Sequence, residues 1–359
     1  MRKLLHDFYD RYFHDEESLI LVILLTLSLF LLWALGEVLA PLIASVIIAY
    51  LMQGGVNTLR RRGVPQRLSF ALIYALFFGT FILVLFIVLP LVWNQFGRFV
   101  NELPRLISQW QASLMLLPEA YPSLVTQQQV EELIRTARGE IAVLGQAVLS
   151  YSISGIPTVL YWVVFIVLVP ILVFFIMKDK DLLVQWAGNF LPRNRPLMNR
   201  IWQEMDQQLS NYIRGKVLEI FIVGSVSFII FAILGIDYAV LLSVLVGLSV
   251  LIPYIGAFVV TIPIAAVAYV QWGLGSEFYT TLLVYGVLQL LDGNVLVPVI
   301  FSETVNLHPI AIIGAVLVFG GIWGLAGVFF AIPLATFIKA IINAWPSRVH
   351  SLIDADTES

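Results

Sequence analysis

Apolar residues run in long blocks along this chain, parted by short polar clusters. The blocks cover Leu19–Leu35, Val38–Met52, Ser69–Val92, Ile156–Met177, Val217–Leu234, Ala239–Ile252, Ala257–Gln271, Phe278–Leu291, Ile310–Trp323 and Leu325–Trp345. Several approach the ~20 residues that carry a helix across a bilayer. None has the ~10-residue alternating segments of a membrane barrel. The pattern predicts an all-α polytopic membrane protein. Ala239–Ile252 and Ala257–Gln271 fall short of the ~20 residues of a full span. They are read as a re-entrant hairpin with Pro253-Tyr254-Ile255-Gly256 at its tip, leaving about eight transmembrane helices. The alternative, two full spans, keeps the same orientation.

Trp93–Gly155 interrupts this pattern. Its spacing predicts an amphipathic helix from about Asn94 to Leu117, with Phe96, Phe99, Val100, Leu103, Leu106 and Ile107 on one face. A second begins at Thr126, with Gln129 three residues on as a capping box. Pro118 and Pro122 mark the turn. On the other side of the membrane, Pro196 opens a helix whose Trp202, Met205, Leu209 and Ile213 share a face. This predicts a helix lying along the membrane surface, with Gly215 turning the chain up into the next span.

Charge sets the orientation. Of the 20 basic residues, all but Arg98, Arg105, Arg135 and Arg138 fall on alternating loops. Basic loops stay cytoplasmic, so both termini are placed inside and residues 93–155 outside. The chain is then divided as follows: a cytoplasmic segment with three spans (1–92), the extracytoplasmic insert (93–155), and a fourth span with the surface helix (156–216). A transport core containing the hairpin (217–345) and an acidic cytoplasmic tail (346–359) complete it.

Composition narrows the chemistry. Charged residues make up 12% of the chain, about half the ~25% of soluble domains. A net charge of −3 gives no bulk attraction to nucleic acid. With no cysteine, disulfides, thiolate metal sites and cysteine catalysis are excluded. There is no Walker A loop, no H-E-x-x-H and no G-x-S-x-G, so the chain is read as a non-enzyme without cofactor or metal.

Val217–Ile338 contains neither Lys nor Arg but holds Glu219, Asp237, Glu277, Asp292 and Glu303. Intramembrane carboxylates cost ~2.5–3.5 kcal/mol on insertion scales and mark functional sites by default. The densest polar cluster is Gln289, Asp292, Asn294, Ser302, Glu303, Asn306 and His308. In it Asp292 and Glu303 are the ionisable candidates and Gln289 and Asn294 the hydrogen-bonding ones. His308 is a candidate proton carrier, since its ordinary pKa is ~6.5. Asp292-Gly293-Asn294 is read as a helix break. The bland reading of the cluster is a cytoplasmic loop. Pro253, Tyr254, Gly256, Pro263 and Pro298 are the candidate backbone breaks. Glu219 is weighed mainly as an interfacial partner of Lys216. There is also an internal echo: Val250–Ile255 resembles Val295–Ile300, and Thr261-Ile262-Pro263-Ile264-Ala265 resembles Ala331-Ile332-Pro333-Leu334-Ala335.

Leu191-Pro192-Arg193-Asn194-Arg195, Asn211-Tyr212-Ile213-Arg214-Gly215-Lys216, Val250–Ala257, Leu291-Asp292-Gly293-Asn294, Val305-Asn306-Leu307-His308-Pro309 and Phe330–Ala335 together resemble the autoinducer-2 exporter family of bacterial permeases. The likeness is to its PerM-type branch. It implies movement of small molecules across the bacterial inner membrane, and for some members sodium/proton antiport. The reading is therefore an inner-membrane secondary transporter or exporter of a small polar solute, embedded in the lipid bilayer as a homo-oligomer, with H+ or Na+ as candidate co-substrates. The alternatives are a sodium/proton antiporter and a non-transporting scaffold that binds a partner through the insert.

Overall fold

The computed structural model describes residues 16–115, 126–132, 134–136, 139, 155–192, 195–253, 255–301 and 307–344. Among them there are helices and turns only. Six of these helices are long and apolar enough to cross a membrane: Val38–Arg61, Gln66–Arg105, Leu160–Lys178, Pro196–Leu234, Ile255–Trp272 and Ser276–Phe301. Four shorter apolar ones are Leu19–Leu32, Ala239–Ser249, Ile310–Gly324 and Gly327–Asn343. Each coincides with one of the blocks read from the sequence. The protein is all-helical and polytopic.

In chain order the elements are α1 (Glu16–Arg61), α2 (Gln66–Leu83), a π-helical turn (Val84–Val88), α3 (Leu89–Met115), α4 (Gly155–Lys178), α5 (Lys180–Gly188) and α6 (Pro196–Leu234). There follow α7 (Ala239–Ser249), α8 (Ile255–Trp272), α9 (Ser276–Leu291), a second π-helical turn (Asp292–Leu296), α10 (Val297–Phe301) and α11 (Pro309–Ala344). They form two compact units, one of residues 1–77, 167–216 and 301–359, the other of 78–166 and 217–300.

In the first unit, α1 is helical from end to end but is not a straight rod. The Glu17 carboxylate accepts from the Leu197 and Met198 N–H groups of α6 at 3.3 and 2.7 Å. The Tyr50 hydroxyl bonds to Asp206 of the same helix at 2.6 Å. Those two points are only about 13 Å apart along α6, yet about 50 Å apart along a straight α1, at ~1.5 Å per residue. The helix therefore bends back between them. Its apolar stretches Leu19–Leu32 and Val38–Arg61 are the two arms.

The surface-helix expectation for α6 is corrected here. Helical backbone continues through Gly215 to Leu234 instead of turning there. Ile213 is 1% exposed, and with Tyr212 and Leu209 it packs on Ile47, Leu51 and Ile332. Protein, not lipid headgroup, covers this face; of the four residues only Trp202 is strongly exposed. The exposed apolar side chains on this stretch belong to α5, with Leu182, Val184 and Trp186.

Also in the first unit, α11 is two arms. Gly324 has φ +59 and ψ −136, outside the helical range, and the chain folds back on itself there. Phe319 and Val328, like Val316 and Ala331, pack together across the fold. A Cβ on Gly327 would fall on the Phe319 carbonyl oxygen, so only glycine permits this approach. The arms Ile310–Gly324 and Gly327–Asn343 are about 22–26 Å long at ~1.5 Å per residue. Both are shorter than the ~30 Å hydrocarbon core.

In the second unit, α7 and α8 fold back on each other as a helical hairpin, an arrangement common to the re-entrant reading and to two full spans. The Asp237 N–H donates to the Gln271 side-chain oxygen at 2.8 Å, and the Gln271 amide donates to the Gly235 carbonyl at 2.8 Å. These bonds tie the two ends of the hairpin together. The Leu241 N–H, an otherwise orphaned donor in the first turn of α7, is taken by the Gln95 side-chain oxygen of α3 at 2.7 Å. The core behind it holds Phe231, Leu242, Val246, Ile264 and Ala268. Helices α6 and α7 cross where a Cβ on Gly247 would come within 3.1 Å of the Gly224 Cα, the small-residue contact favoured inside membranes.

The insert's first helix is a continuation of α2 through the π turn, with no start of its own at Asn94. Its Phe99 ring packs edge-on against Tyr238. The Thr126 capping box forms as read: Thr126 N–H to the Gln129 side chain at 3.1 Å and Gln129 N–H to the Thr126 hydroxyl at 3.4 Å.

Tyr238, in the turn before α7, has its pKa pushed up to about 12 by burial and then by the Glu102 carboxylate it bonds. A phenol raised above its unfolded value adds stability that is full below pH ~10 and fades as pH rises through its folded pKa. Absorbance titration should show a late step after the exposed tyrosines have ionised, and Tyr238→Phe should lower the amplitude of that late step by one phenol.

Candidate functional site

Below the tip of the α7–α8 hairpin, polar groups gather inside the second unit. At the tip, Ile252 N–H bonds to the Ser249 carbonyl at 3.0 Å and Gly256 N–H to the Ile252 carbonyl at 2.9 Å. A Cβ on Gly256 would fall on that same Ser249 oxygen. At the third residue of α8, the Ala257 carbonyl accepts from the Thr261 hydroxyl at 2.8 Å and from the Tyr285 hydroxyl of α9 at 2.9 Å. Six residues beyond Ala257, Pro263 interrupts the hydrogen-bond ladder of α8, since proline has no N–H to donate.

Tyr285, Gln289 and Asp292 follow at the four- and three-residue steps that keep one face of a helix. Tyr285 is 3% exposed and Asp292 9%. The Thr261 hydroxyl and the Gln289 carboxamide both face the Tyr285 oxygen. The Gln289 Nε2 is buried and, although the carboxamide faces the Tyr285 oxygen, it meets hydrogen-bond geometry with no acceptor among the described residues. A buried donor of this kind costs about 1–3 kcal/mol. Asp292 opens the π-helical turn, a feature frequent at functional sites. Elsewhere in the unit, Glu219 of α6 is 2% exposed.

The candidate residues are not all brought together. Asp292-Gly293-Asn294 is a widened helical turn, not a break or a loop, so Gln289 and Asp292 lie within a helix that runs on to Phe301. Asn294 is exposed, its amide donating to the Leu290 carbonyl at 2.9 Å. Pro298 is exposed on α10. His308 is exposed, and its Nδ1 accepts from the Ile310 N–H at 3.3 Å, capping the start of α11. Pro253 lies in the hairpin turn and Pro263 within α8. Tyr254 and Glu303 lie outside the described residues.

Tyr285 and Thr261 escaped the sequence reading. The signal was available in Tyr285, Gln289 and Asp292 on one face of an otherwise apolar helix. No three His, Cys, Asp or Glu among the described residues stand together as a metal site.

The family model described as AI-2E family transporter matches residues 19–347. The chain is 42% identical over 346 residues to "Putative permease PerM" of Escherichia coli (strain K12), covering 96% of this chain and 98% of that protein. It is 27% identical over 338 residues to "Putative transport protein YrrI" of Bacillus subtilis (strain 168), covering 90% and 94%. A putative transport protein of Haemophilus influenzae is 22% identical over 317 residues, covering 87% and 88%. A multi-pass helical bundle with a buried polar stripe accords with these names, and the chain belongs to the AI-2E family of membrane transporters.

Proposed function

We propose that this permease exports a small polar solute across the bacterial inner membrane, along the Tyr285–Gln289–Asp292 stripe beside the α7–α8 hairpin. The Gln289 donor, buried and without an acceptor among the described residues, carries this reading. A solute with hydroxyl or carbonyl oxygens would supply that acceptor, and the Asp292 carboxylate would accept from its hydroxyls. Asn294, Glu303 and His308 are the remaining candidate pathway residues. The family resemblance supports export as the direction. The basic loops support cytoplasmic termini, and the exposed apolar flanks support a homo-oligomer.

The test is efflux of autoinducer-2 from liposomes containing the purified protein. Wild type should release it faster than protein-free vesicles, and Gln289→Leu should slow release about tenfold, the equivalent of one hydrogen bond at ~1.4 kcal/mol. Sodium or proton flux under an imposed gradient, lost in Asp292→Asn, would instead establish the antiporter. No flux of any kind, with a partner still bound by the insert, would establish the scaffold.

A further inference from the structure

The short helix α5, between α4 and α6, divides sharply by chemistry around its axis. Successive residues turn by about 100°. Leu182, Leu183, Val184, Trp186 and Ala187 therefore share one broad side, with Asp181 and Gln185 on the other. Both sides are exposed. On the apolar side Leu182, Val184 and Trp186, with Phe190 just beyond the helix, are each at least 60% exposed. The Trp186 and Phe190 rings meet edge-on at 4.9 Å, so the strip is continuous past the helix end. An uncovered apolar strip rimmed by polar residues marks a contact with a membrane or a protein.

Its place in the chain decides between the two. The span Leu160–Lys178 of α4 has 19 residues, about 28 Å at ~1.5 Å per residue. That fills most of the ~30 Å hydrocarbon core. Asp179 follows and α5 begins at Lys180, so α5 starts at the level of the lipid headgroups. Lys178, Lys180, Arg193 and Arg195 put this level on the cytoplasmic side. Asp179 has φ −104 and ψ +21, outside the helical range, so the axis bends there. With nine residues, about 13 Å long, α5 cannot cross the bilayer. Its far end is pinned, because the Arg195 guanidinium donates to the Gly188 carbonyl at 3.1 Å, one of the orphaned acceptors of a helix C-terminus. The next residue, Pro196, opens α6, whose Leu197 and Met198 N–H groups are held by Glu17.

We propose that α5 is an interfacial anchor lying in the plane of the cytoplasmic leaflet. Leu182, Val184 and Trp186 enter the boundary between headgroups and acyl chains, and Asp181 and Gln185 face water. The partner is the phospholipid surface, and three features favour it over a protein chain. The strip is continuous with the α4 span. Trp186 stands at the depth where amphipathic rings gather in membrane proteins. Lys178 and Lys180 flank the strip at the end nearest the span, where long basic side chains reach lipid phosphates. Lys178 already keeps its ammonium near the Phe174 ring of α4, 5.9 Å from the ring centre. Through the Arg195 contact, the leaflet then fixes the level at which α6 begins. The surface helix that the sequence pattern placed at Pro196 lies one element earlier.

The chain has no cysteine, so single-cysteine spin labels on protein in liposomes report one position at a time, independent of transport. Collision with dissolved oxygen reports lipid, and collision with a neutral nickel chelate reports water. Arg62→Cys, in the arginine turn after α1, marks water, and Val167→Cys, on the exposed flank of α4, marks hydrocarbon. Labels at Leu182→Cys and Trp186→Cys should favour oxygen, at a depth of about 5–10 Å. The label at Gln185→Cys should meet nickel as often as that at Arg62→Cys. All five side chains are exposed, so the substitutions disturb no core. Nickel collision at Leu182→Cys and Trp186→Cys as frequent as at Arg62→Cys would put α5 in the cytosol and overturn the anchor. Shielding of the same two labels from both reagents, with immobilised spectra, would reveal a protein partner and overturn it equally.

Discussion

Gly256→Ala is expected to abolish solute efflux and to lower the melting temperature of the detergent-solubilised protein. The added methyl would fall on the Ser249 carbonyl oxygen and within 3.1 Å of the Ser249 Cα. These are backbone atoms, and the oxygen already accepts the Ile252 N–H, so neither can swing aside as a side chain would. Overpacking of this kind costs about 1–3 kcal/mol, sometimes more. Here relief would require opening the hairpin tip and shifting Ala257 away from Tyr285. Two other glycines provide the comparison. At Gly54 the atoms met first are those of the Arg214 guanidinium, the flexible end of a long side chain, so Gly54→Ala should be mild. At Gly286 a Cβ meets nothing within 4 Å, and alanine there should gain up to about 1 kcal/mol of helix propensity. If Gly256→Ala melted and transported like Gly286→Ala, the tight hairpin tip would be wrong.

The membrane architecture could be read from the sequence because it rests on block length and apolar content, which the bilayer imposes one segment at a time. The Thr126 capping box could be read for a similar reason, since a cap is settled within three residues. What could not be read depends on contacts between distant segments. Whether Gly215 bends the chain turns on what covers Ile213, and that cover comes from Ile47 and Ile332, more than a hundred residues away in either direction. A hydrophobic face specifies burial but not its partner, so a helix packed on protein looks the same in sequence as one resting on lipid headgroups.

The hairpins show the same limit. The α7–α8 turn announces itself with a proline three residues before a glycine. The α11 turn contains no proline, and its Gly-Gly-Ile-Trp-Gly run is equally suited to close helix packing. Asp292-Gly293-Asn294 misled for a different reason. Such residues favour turns, but here the chain absorbs them in one widened helical turn, which keeps Asp292 in line with Gln289 and Tyr285. At the candidate site, polarity along one strand of sequence identified Gln289 and Asp292. Tyr285 and Thr261 needed the fold, because their significance lies in sharing the Ala257 carbonyl.

Asp292→Asn should slow efflux about 10- to 100-fold while leaving the melting temperature within a few degrees of wild type. The substitution keeps the shape of the side chain, and replaces the charge and one acceptor oxygen with a neutral amide donor. Asp292 is 9% exposed in a largely apolar helix, where a carboxylate costs ~2.5–3.5 kcal/mol on insertion scales. A hydrogen bond from a solute hydroxyl to a charged acceptor contributes about 1.5–3 kcal/mol, which sets the expected loss at roughly one to two orders of magnitude. Tyr285→Phe, one step along the stripe, removes a neutral donor and should show a smaller loss in efflux, together with a measurable loss of stability, because the Ala257 carbonyl keeps only Thr261. The two variants therefore separate the roles on one helix face. If Asp292→Asn transported at the wild-type rate while Tyr285→Phe did not, the stripe would hold the hairpin in place without forming the path.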